Sequence, residues 1–239
     1  MARKKLSSKN PDVLVIDIGG TKVKFQSSAH GRTGRFKSGR KMTPGLMVEH
    51  VLQLTERWKF DVVSIGFPGP VVHGRPAVDP ENLGDGWTRF DFKKAFGKPV
   101  KIINDAAMQA LGSYEGGRML FLGLGTGVGS TMIVDDMVIP LELGELRYSN
   151  NALVKDVLQK KSLKKKGAPS WEKAVHTVAK NLKAAFVADY VVIGGGNEKK
   201  VRRLPPGARR GSNRFAFRGG SRLWQKSPIT AKKHTLIIT

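Results

Sequence analysis

Apolar residues enter this chain in short runs separated by glycine turns. VLVID (13–17) is a continuous apolar run closing on Asp17, IGGT turns the chain, and KVKFQ (22–26) then alternates polar with apolar. Strand, glycine turn, strand is the pattern of a hairpin rather than of a strand–helix unit. RMLFLGLGTGVGSTMIVDD (118–136) repeats it. Between the two, PGLMVEHVLQLTERWK (44–59) opens with proline in a first turn. Leu46, Val48, Val51, Leu52, Leu54 and Trp58 give that segment a mostly helical apolar face.

FDVVSIGFPGPVV (60–72) reads as a buried strand broken by Gly66, Pro68, Gly69 and Pro70. VKIIND (100–105) is a short strand ending in two polar residues, followed by the helix AAMQALGSYEG. NALVKDVLQKKSLKKK (151–166) and SWEKAVHTVAKNLKAAFVA (170–188) have helical spacing, and YVVIGGG (190–196) is a strand running into glycines. From about residue 199 the chain is rich in Pro, Gly and Arg with little periodicity, so it is expected to be loop or partly disordered. Two glycine-turn hairpins, each followed by mixed helix and strand, predict two similar α/β lobes around a cleft.

Composition narrows the class. The 239 residues, 40% of them hydrophobic, can bury a substantial core in one or two domains. No apolar run approaches the ~18–20 residues that span a bilayer, and MARKKLSSKNPD lacks the apolar stretch of a secretory signal. Cysteine is absent, which excludes disulfides, thiolate chemistry and cysteine-based zinc sites. A cytoplasmic protein without membrane contact is the expectation. The five histidines show no metal-ligand spacing.

The net charge of +23 is unevenly placed. Residues 1–41 carry +9, 155–183 carry +7 and 198–239 carry +11, whereas residues 42–154 come to −3. Blocks of this kind attract polyanions such as nucleic acid, membrane surfaces or polyphosphate, or they serve solubility.

Candidate chemistry gathers at strand ends, where α/β proteins place ligands. In DIGGTK (17–22), Asp17 could reach a magnesium ion directly or through water. Gly19 and Gly20 let backbone N–H groups approach a phosphate, while Thr21 offers a hydroxyl and Lys22 a charge. The alternative is a tight hairpin turn. GLGTGVG (123–129) has neither dinucleotide-binding spacing nor a Gly-Lys-Ser/Thr sequence, yet paired with DIGGTK it would make a two-jawed phosphate clamp. Asn104-Asp105 either caps a helix or supplies a general base, Asp105, for a hydroxyl attacking phosphorus. Gly194–Gly196 form a third glycine turn.

DIGGTK, NDA, LGTGVG, the Glu-x-Gly corner at 142–144 and VVIGGG stand in the order and spacing of the ROK sugar kinases. The chain most resembles their polyphosphate glucokinase branch, and GFPGPV with PENLGDGW (80–87) is similar to that branch's sugar-side loops. The resemblance runs from about residue 12 to 200. It implies an actin-like ATPase (ribonuclease H-like) fold, with two α/β lobes closing on a sugar. The implied division is an N-terminal lobe at 12–105, a C-terminal lobe at 106–204 and a basic Gly/Arg-rich tail at 205–239. A homodimer is usual in the family.

The resemblance makes Asp105 the catalytic base that phosphorylates the 6-hydroxyl of glucose or a related hexose, with ATP or inorganic polyphosphate as donor. Asn104, Asp105 and Glu142 would hold sugar hydroxyls, with Gly69, Pro70 and Asn82 lining the sugar side. Asp17, Gly19, Gly20, Thr21 and Lys22 would face phosphates and magnesium. Gly125, Thr126 and Gly127 would close on them, and Gly194, Gly195 and Gly196 would border the nucleotide or phosphate tail.

Two departures stand out. No zinc is expected, since the family's cysteine-rich motif is missing. The family corner reads Glu-x-Gly-His, but here its fourth residue is Glu145, which could accept from a sugar hydroxyl and, when ionised, cannot donate. Altered sugar choice or weaker sugar binding is therefore expected. The competing reading is a sugar sensor without turnover, or a polyanion or nucleic-acid binder acting through the basic tail. Too few residues precede the first strand for a helix-turn-helix domain.

Overall fold

The computed structural model describes residues 10–225. The first sheet opens with a meander of β1 (Val13–Ile18), β2 (Lys22–Ser27) and β3 (Thr33–Lys37). Helix α1 (Pro44–Leu54) then carries the chain to β4 (Val62–Phe67), and a small ribbon, β5 (Val71–Val72) with β6 (Arg75–Pro76), follows. Helix α2 (Phe92–Phe96) leads to β7 (Val100–Asn104). The strand order is β3-β2-β1-β4-β7, with β1, β4 and β7 parallel. Alternation sorts β1 into two faces. Leu14, Ile16 and Ile18 join the core under α1, and Val13 and Val15 join a second cluster on the opposite face.

Helix α1 is shorter than its sequence suggests. Thr43 caps its start, accepting from the Leu46 N–H at 3.4 Å, and the helix stops at Leu54. Met47, Val48 and Val51 are buried, whereas Leu46, Leu52 and Leu54 stay exposed. The apolar stripe is thus narrower than the residue types imply.

Helix α3 (Asp105–Ser113) leaves β7 and leads to the second lobe. There β8 (Arg118–Leu124), β9 (Val128–Val134) and β10 (Met137–Leu141) form another meander. A 3-10 turn at Leu143–Glu145, the ribbon β11 (Arg147–Ser149) and β12 (Ala152–Leu153), and α4 (Val154–Leu158) follow. Helix α5 (Lys160–Ala185) is broken at Gly167, with φ of 75°, just before Pro169. Strand β13 (Tyr190–Gly194) runs parallel to β8. The second sheet has the order β10-β9-β8-β13-β14, its last strand being β14 (Ala208–Arg210). Trp171, Val175, Val178 and Leu182 of α5 cover it.

The expectation of loop or disorder from 205 onward is corrected at Ala208–Arg210 and Phe215–Arg222. Strand β14 adds in parallel to β13, and α6 (Phe215–Arg222) returns to pack on α3, β1 and β4. Its buried face is Ala216, Gly219 and Gly220, small residues that carry no apolar periodicity. Their smallness is what the packing needs. A Cβ on Gly112 would lie 1.8 Å from the Phe215 carbonyl oxygen, and one on Gly219 would lie 1.8 Å from that of Met108. Beyond α6, Trp224 donates from Nε1 to the Ser64 hydroxyl at 2.9 Å, which itself donates to the Gly220 carbonyl at 2.7 Å. The rest of the tail, 226–239, lies outside the described residues. Among the described residues no helix is long and apolar enough to cross a membrane.

Candidate active site

The parallel strands of both sheets deliver their C-terminal ends to one region. Asp17 is the penultimate residue of β1, Asn104 ends β7, and Gly194 ends β13 beside Gly123 of β8. Asp17 is buried, and Lys24 Nζ stands 3.6 Å from its carboxylate. Burial pushes the Asp17 carboxyl above the usual range, and Lys24 only partly offsets this. The turn beyond it is closed by Gly19 N–H donating to the Lys22 carbonyl at 3.0 Å and by Ser38 Oγ donating to the Gly19 carbonyl at 2.6 Å. The DIGGTK segment is therefore a hairpin turn, and it leaves Thr21 and Lys22 exposed beside Asp17.

Asn104 caps α3. Its Oδ1 accepts from the Ala106 and Ala107 N–H groups at 2.9 and 3.1 Å, and its Nδ2 donates to the Gly69 carbonyl at 3.1 Å. One side chain thus ties the GFPGP loop to the first turn of α3. Asp105 follows as the first residue of that helix, its carboxylate accepting from Ala106 N–H at 2.7 Å. Burial pushes the Asp105 carboxyl up to about 7, reinforced by the charge of Asp17 and then of Glu142, against the lowering by the backbone N–H bonds. Asp105 thus feels carboxylates from two other parts of the chain, Asp17 of β1 and Glu142 of the corner after β10. Asp105 keeps an intermediate exposure, so it is desolvated yet reachable.

The loop at 79–87 leans on the glycine turn: a Cβ on Gly20 would lie 3.0 Å from the Cβ of Asn82. The Asp79 carboxylate shapes the loop, accepting from Gly86 and Trp87 N–H at 3.1 and 2.7 Å. Those bonds hold its carboxyl below the usual range. The Trp87 ring is fully buried against Phe67 and Phe92, and its Nε1 donates to the Gly84 carbonyl at 2.6 Å. Asp79 escaped the sequence reading; the signal was there, a carboxylate seven residues before a glycine and a tryptophan. Pro70 is exposed at the rim of the neighbouring loop.

In the second lobe the two glycine turns meet. Gly125 N–H donates to the Gly127 carbonyl at 3.0 Å, closing the turn around Thr126. The Gly125 carbonyl accepts from Lys160 N–H at 2.8 Å and from Asn197 Nδ2 at 3.4 Å. Asn197 N–H donates to the Leu124 carbonyl at 2.9 Å, and a Cβ on Gly195, whose φ is 82°, would lie 2.5 Å from Leu124 N. Gly194–Gly196 therefore form the wall against which the 125–127 turn is built. Asn197 and Lys160, both unremarked in the sequence, are its fasteners.

The Glu142 corner is fixed through Ser130, whose hydroxyl donates to the Leu141 carbonyl at 2.7 Å and accepts from Leu143 N–H at 2.9 Å. Gly144 packs beside Val128 and Lys155. Glu142 is exposed, and its charge acts on Asp105. Glu145 differs: both its carboxylate oxygens accept from Lys155 Nζ, at 2.6 and 2.7 Å, on the exposed side of the corner. The structure thus gives Glu145 a cationic partner that its sequence neighbourhood does not reveal.

Taken together, a desolvated carboxylate stands at the end of β7, and the second lobe holds two glycine turns packed on each other. Such a geometry can accept a proton from a hydroxyl while N–H groups hold an anionic group opposite. Among the described residues no group of three or more His, Asp or Glu side chains is placed to hold a metal ion.

Comparison with known proteins identifies the family and the fold. The ROK family profile matches residues 13–140, more than half of the chain. The polyphosphate glucokinase of Mycobacterium tuberculosis is 28% identical over 162 residues, covering 60% of this chain and 59% of that protein. The chain therefore matches about three fifths of the length of that relative. Among solved structures, the inorganic polyphosphate/ATP-glucomannokinase from Arthrobacter sp. strain KM superposes with a TM-score of 0.73 at 24% identity, covering 89% of this chain and 97% of the other. A ROK family glucokinase from Streptomyces griseus, in complex with glucose and AMPPNP, gives 0.65 at 16% identity, covering 89% and 99%. The two sheet-based lobes have the actin-like ATPase fold of these kinases.

Proposed function

Because this chain belongs to the ROK family, we propose that it is a sugar kinase that transfers a phosphoryl group to the 6-hydroxyl of glucose or a related hexose. The observation that carries this reading is Asp105: a carboxyl held near neutral at the end of β7, close enough to Asp17 and Glu142 to feel their charge. In the proposed step the hexose O6 attacks the terminal phosphorus of the donor as the bond to the leaving phosphate oxygen breaks. The O6 proton passes to the Asp105 carboxylate, and product release returns it to solvent. The donor is ATP or inorganic polyphosphate, in keeping with what the named relatives use.

Glu142 accepts sugar hydroxyls, and Asn104 uses the Nδ2 hydrogen not spent on Gly69. Gly69, Pro70 and Asn82 line the sugar side, with Glu145 at the outer edge of the corner. Charge-assisted hydrogen bonds of this kind contribute roughly 1.5–3 kcal/mol each when sheltered from water. The turns at 19–22, 125–127 and 194–196 bind the donor phosphates through N–H groups and the Lys22 charge.

Asp17 fits a magnesium ion. It is buried with its ion-pair partner Lys24 as far as 3.6 Å away, and the remaining ligands would be donor phosphate oxygens and water. Bound there, the ion would neutralise charge on the donor phosphates. A cytoplasmic homodimer completes the proposal.

The test is a coupled assay of hexose 6-phosphate formation with a panel of hexoses, each with ATP and separately with polyphosphate. Turnover with glucose or a close relative is the expected result. Sugar binding by calorimetry, with no turnover on either donor, would instead make the protein a sensor.

A further inference from the structure

The first sheet has a face that burial does not explain. Residues directly opposite on antiparallel strands share a face, and on β2 and β3 the pairs Lys22–Lys37, Lys24–Arg35 and Gln26–Thr33 lie on the side away from Val23 and Phe25. The first two rungs oppose cation to cation, an arrangement that destabilises a hairpin unless an anion lies across it. Lys22, Arg35 and Lys37 are exposed. Among the described residues the one carboxylate paired with this face is Asp17, through Lys24.

The ladder has a direction. Lys22 and Lys37 stand at the glycine-turn end, Lys24 pairs across β1 with Asp17, and Gln26 pairs with Val15. Alternate strand residues lie ~7 Å apart, so three rungs span roughly 14 Å from the turn outward. Past the third rung the face opens into a groove of about 1000 Å³ whose lining includes Gln26, Thr33, Arg214, Arg218 and Arg222. No carboxylate lines it. Arg214 and Arg218 are exposed and have no carboxylate partner among the described residues. Their helix, α6, is held rigid: Arg222 Nη1 donates to the Leu111 and Tyr114 carbonyls at 2.6 and 2.8 Å, and Trp224 is tied to Ser64.

We infer that the β2–β3 cation ladder and the arginine-lined groove beside α6 form one continuous track for a linear inorganic polyphosphate chain, entering the cleft beside Asp17. This rests on the kinase reading for what happens at the cleft end, whereas the track itself is a binding surface. A short donor is satisfied by the glycine turns. An extended polyanion rewards cations spaced along a line; the strand rungs carry no aromatic ring, and the groove's one aromatic, Phe217, sits beyond them among the arginines.

The test is direct binding, without sugar, of long-chain polyphosphate and of tripolyphosphate to the full chain, measured by calorimetry. The variants are R35Q/R214Q/R218Q and, on the other lobe, K164Q/K165Q/K166Q of α5. Wild type should bind the long chain more tightly than tripolyphosphate. The arginine variant should lose about tenfold or more of long-chain affinity, with a shallower salt dependence, while its affinity for tripolyphosphate changes less than about twofold. The α5 variant should bind the long chain as wild type does.

Equal long-chain binding by the arginine variant, loss confined to the α5 variant, or tighter binding of a single-stranded oligonucleotide of matched charge would each overturn the track. Its failure is separable from that of the kinase reading. Hexose phosphorylation with ATP and an unaltered arginine variant refutes the track alone. Arginine-dependent polyphosphate binding without turnover on any donor refutes the kinase alone.

Discussion

At the scale of single residues, neighbours of like chemistry have been given unlike tasks by their surroundings. Asn104 spends its oxygen on two helix N–H groups, so the helix-capping alternative open in the sequence is met in full. Asp105, one position on, makes a single local bond and stands desolvated beside Asp17. The glutamates of the corner divide in the same way. Glu142 is turned toward the charge cluster, while Glu145 grips Lys155 at the surface. An ion pair so exposed adds little to stability, so its interest lies in the site. Glu145→Ala would free Lys155, which already feels Glu142, to turn toward it and compete with sugar hydroxyls. The expected outcome in steady-state kinetics is a KM for the hexose raised several-fold, kcat moved less, and an unchanged Tm. Identical constants would remove Glu145 from the site.

At the scale of elements, α3 and α6 set the position of Asp105, the proposed base. They cross at Gly112 and Gly219, where backbone meets backbone, and α3 presents Asp105 from its first turn. Gly219→Ala places a methyl against the Met108 carbonyl, which no side-chain rotation relieves. Overpacking of this kind costs roughly 1–3 kcal/mol or more. Thermal unfolding should show a Tm lowered by several degrees, with a fall in kcat as α3 shifts. An unchanged Tm would mean that the helices separate without strain. This crossing explains why α6 was not legible in the sequence: a helix packing through Ala216, Gly219 and Gly220 has no apolar stripe, and its arginines and glycines read as loop. The edge strand β3 was hidden for a related reason, since TGRFK shows no apolar run, and in β10 the run MVIPL is short and interrupted by Pro140. The hairpins β1–β2 and β8–β9 were legible because their apolar runs are closed by glycines.

At the scale of the whole molecule, each meander-led sheet ends its parallel strands in residues singled out from the sequence, Asp17, Asn104 and Gly194, while Asn82, Glu142 and Glu145 come from loops and turns. What the sequence could not convey is how loops from one lobe fasten turns in the same lobe, because Asp79, Ser130, Lys160 and Asn197 act through tertiary bonds between positions 7 to 73 residues apart. Charge follows the same rule. The N-terminal basic block was visible as a count, but its strand register, which aligns cations on one face, is a property of pairing.

The account centres on Asp105 as the base that accepts the sugar proton, and the pH dependence of kcat/KM for hexose phosphorylation by wild type and Asp105→Asn tests it most directly. A base with its carboxyl raised to about 7 works only when ionised. Wild-type kcat/KM should therefore climb about tenfold per pH unit below 7 and level off above it. The variant should fall by a factor of about 10²–10⁴ and lose that limb. A wild-type profile flat from about pH 5 to 9, or a variant within a few-fold of wild type, would contradict the assignment.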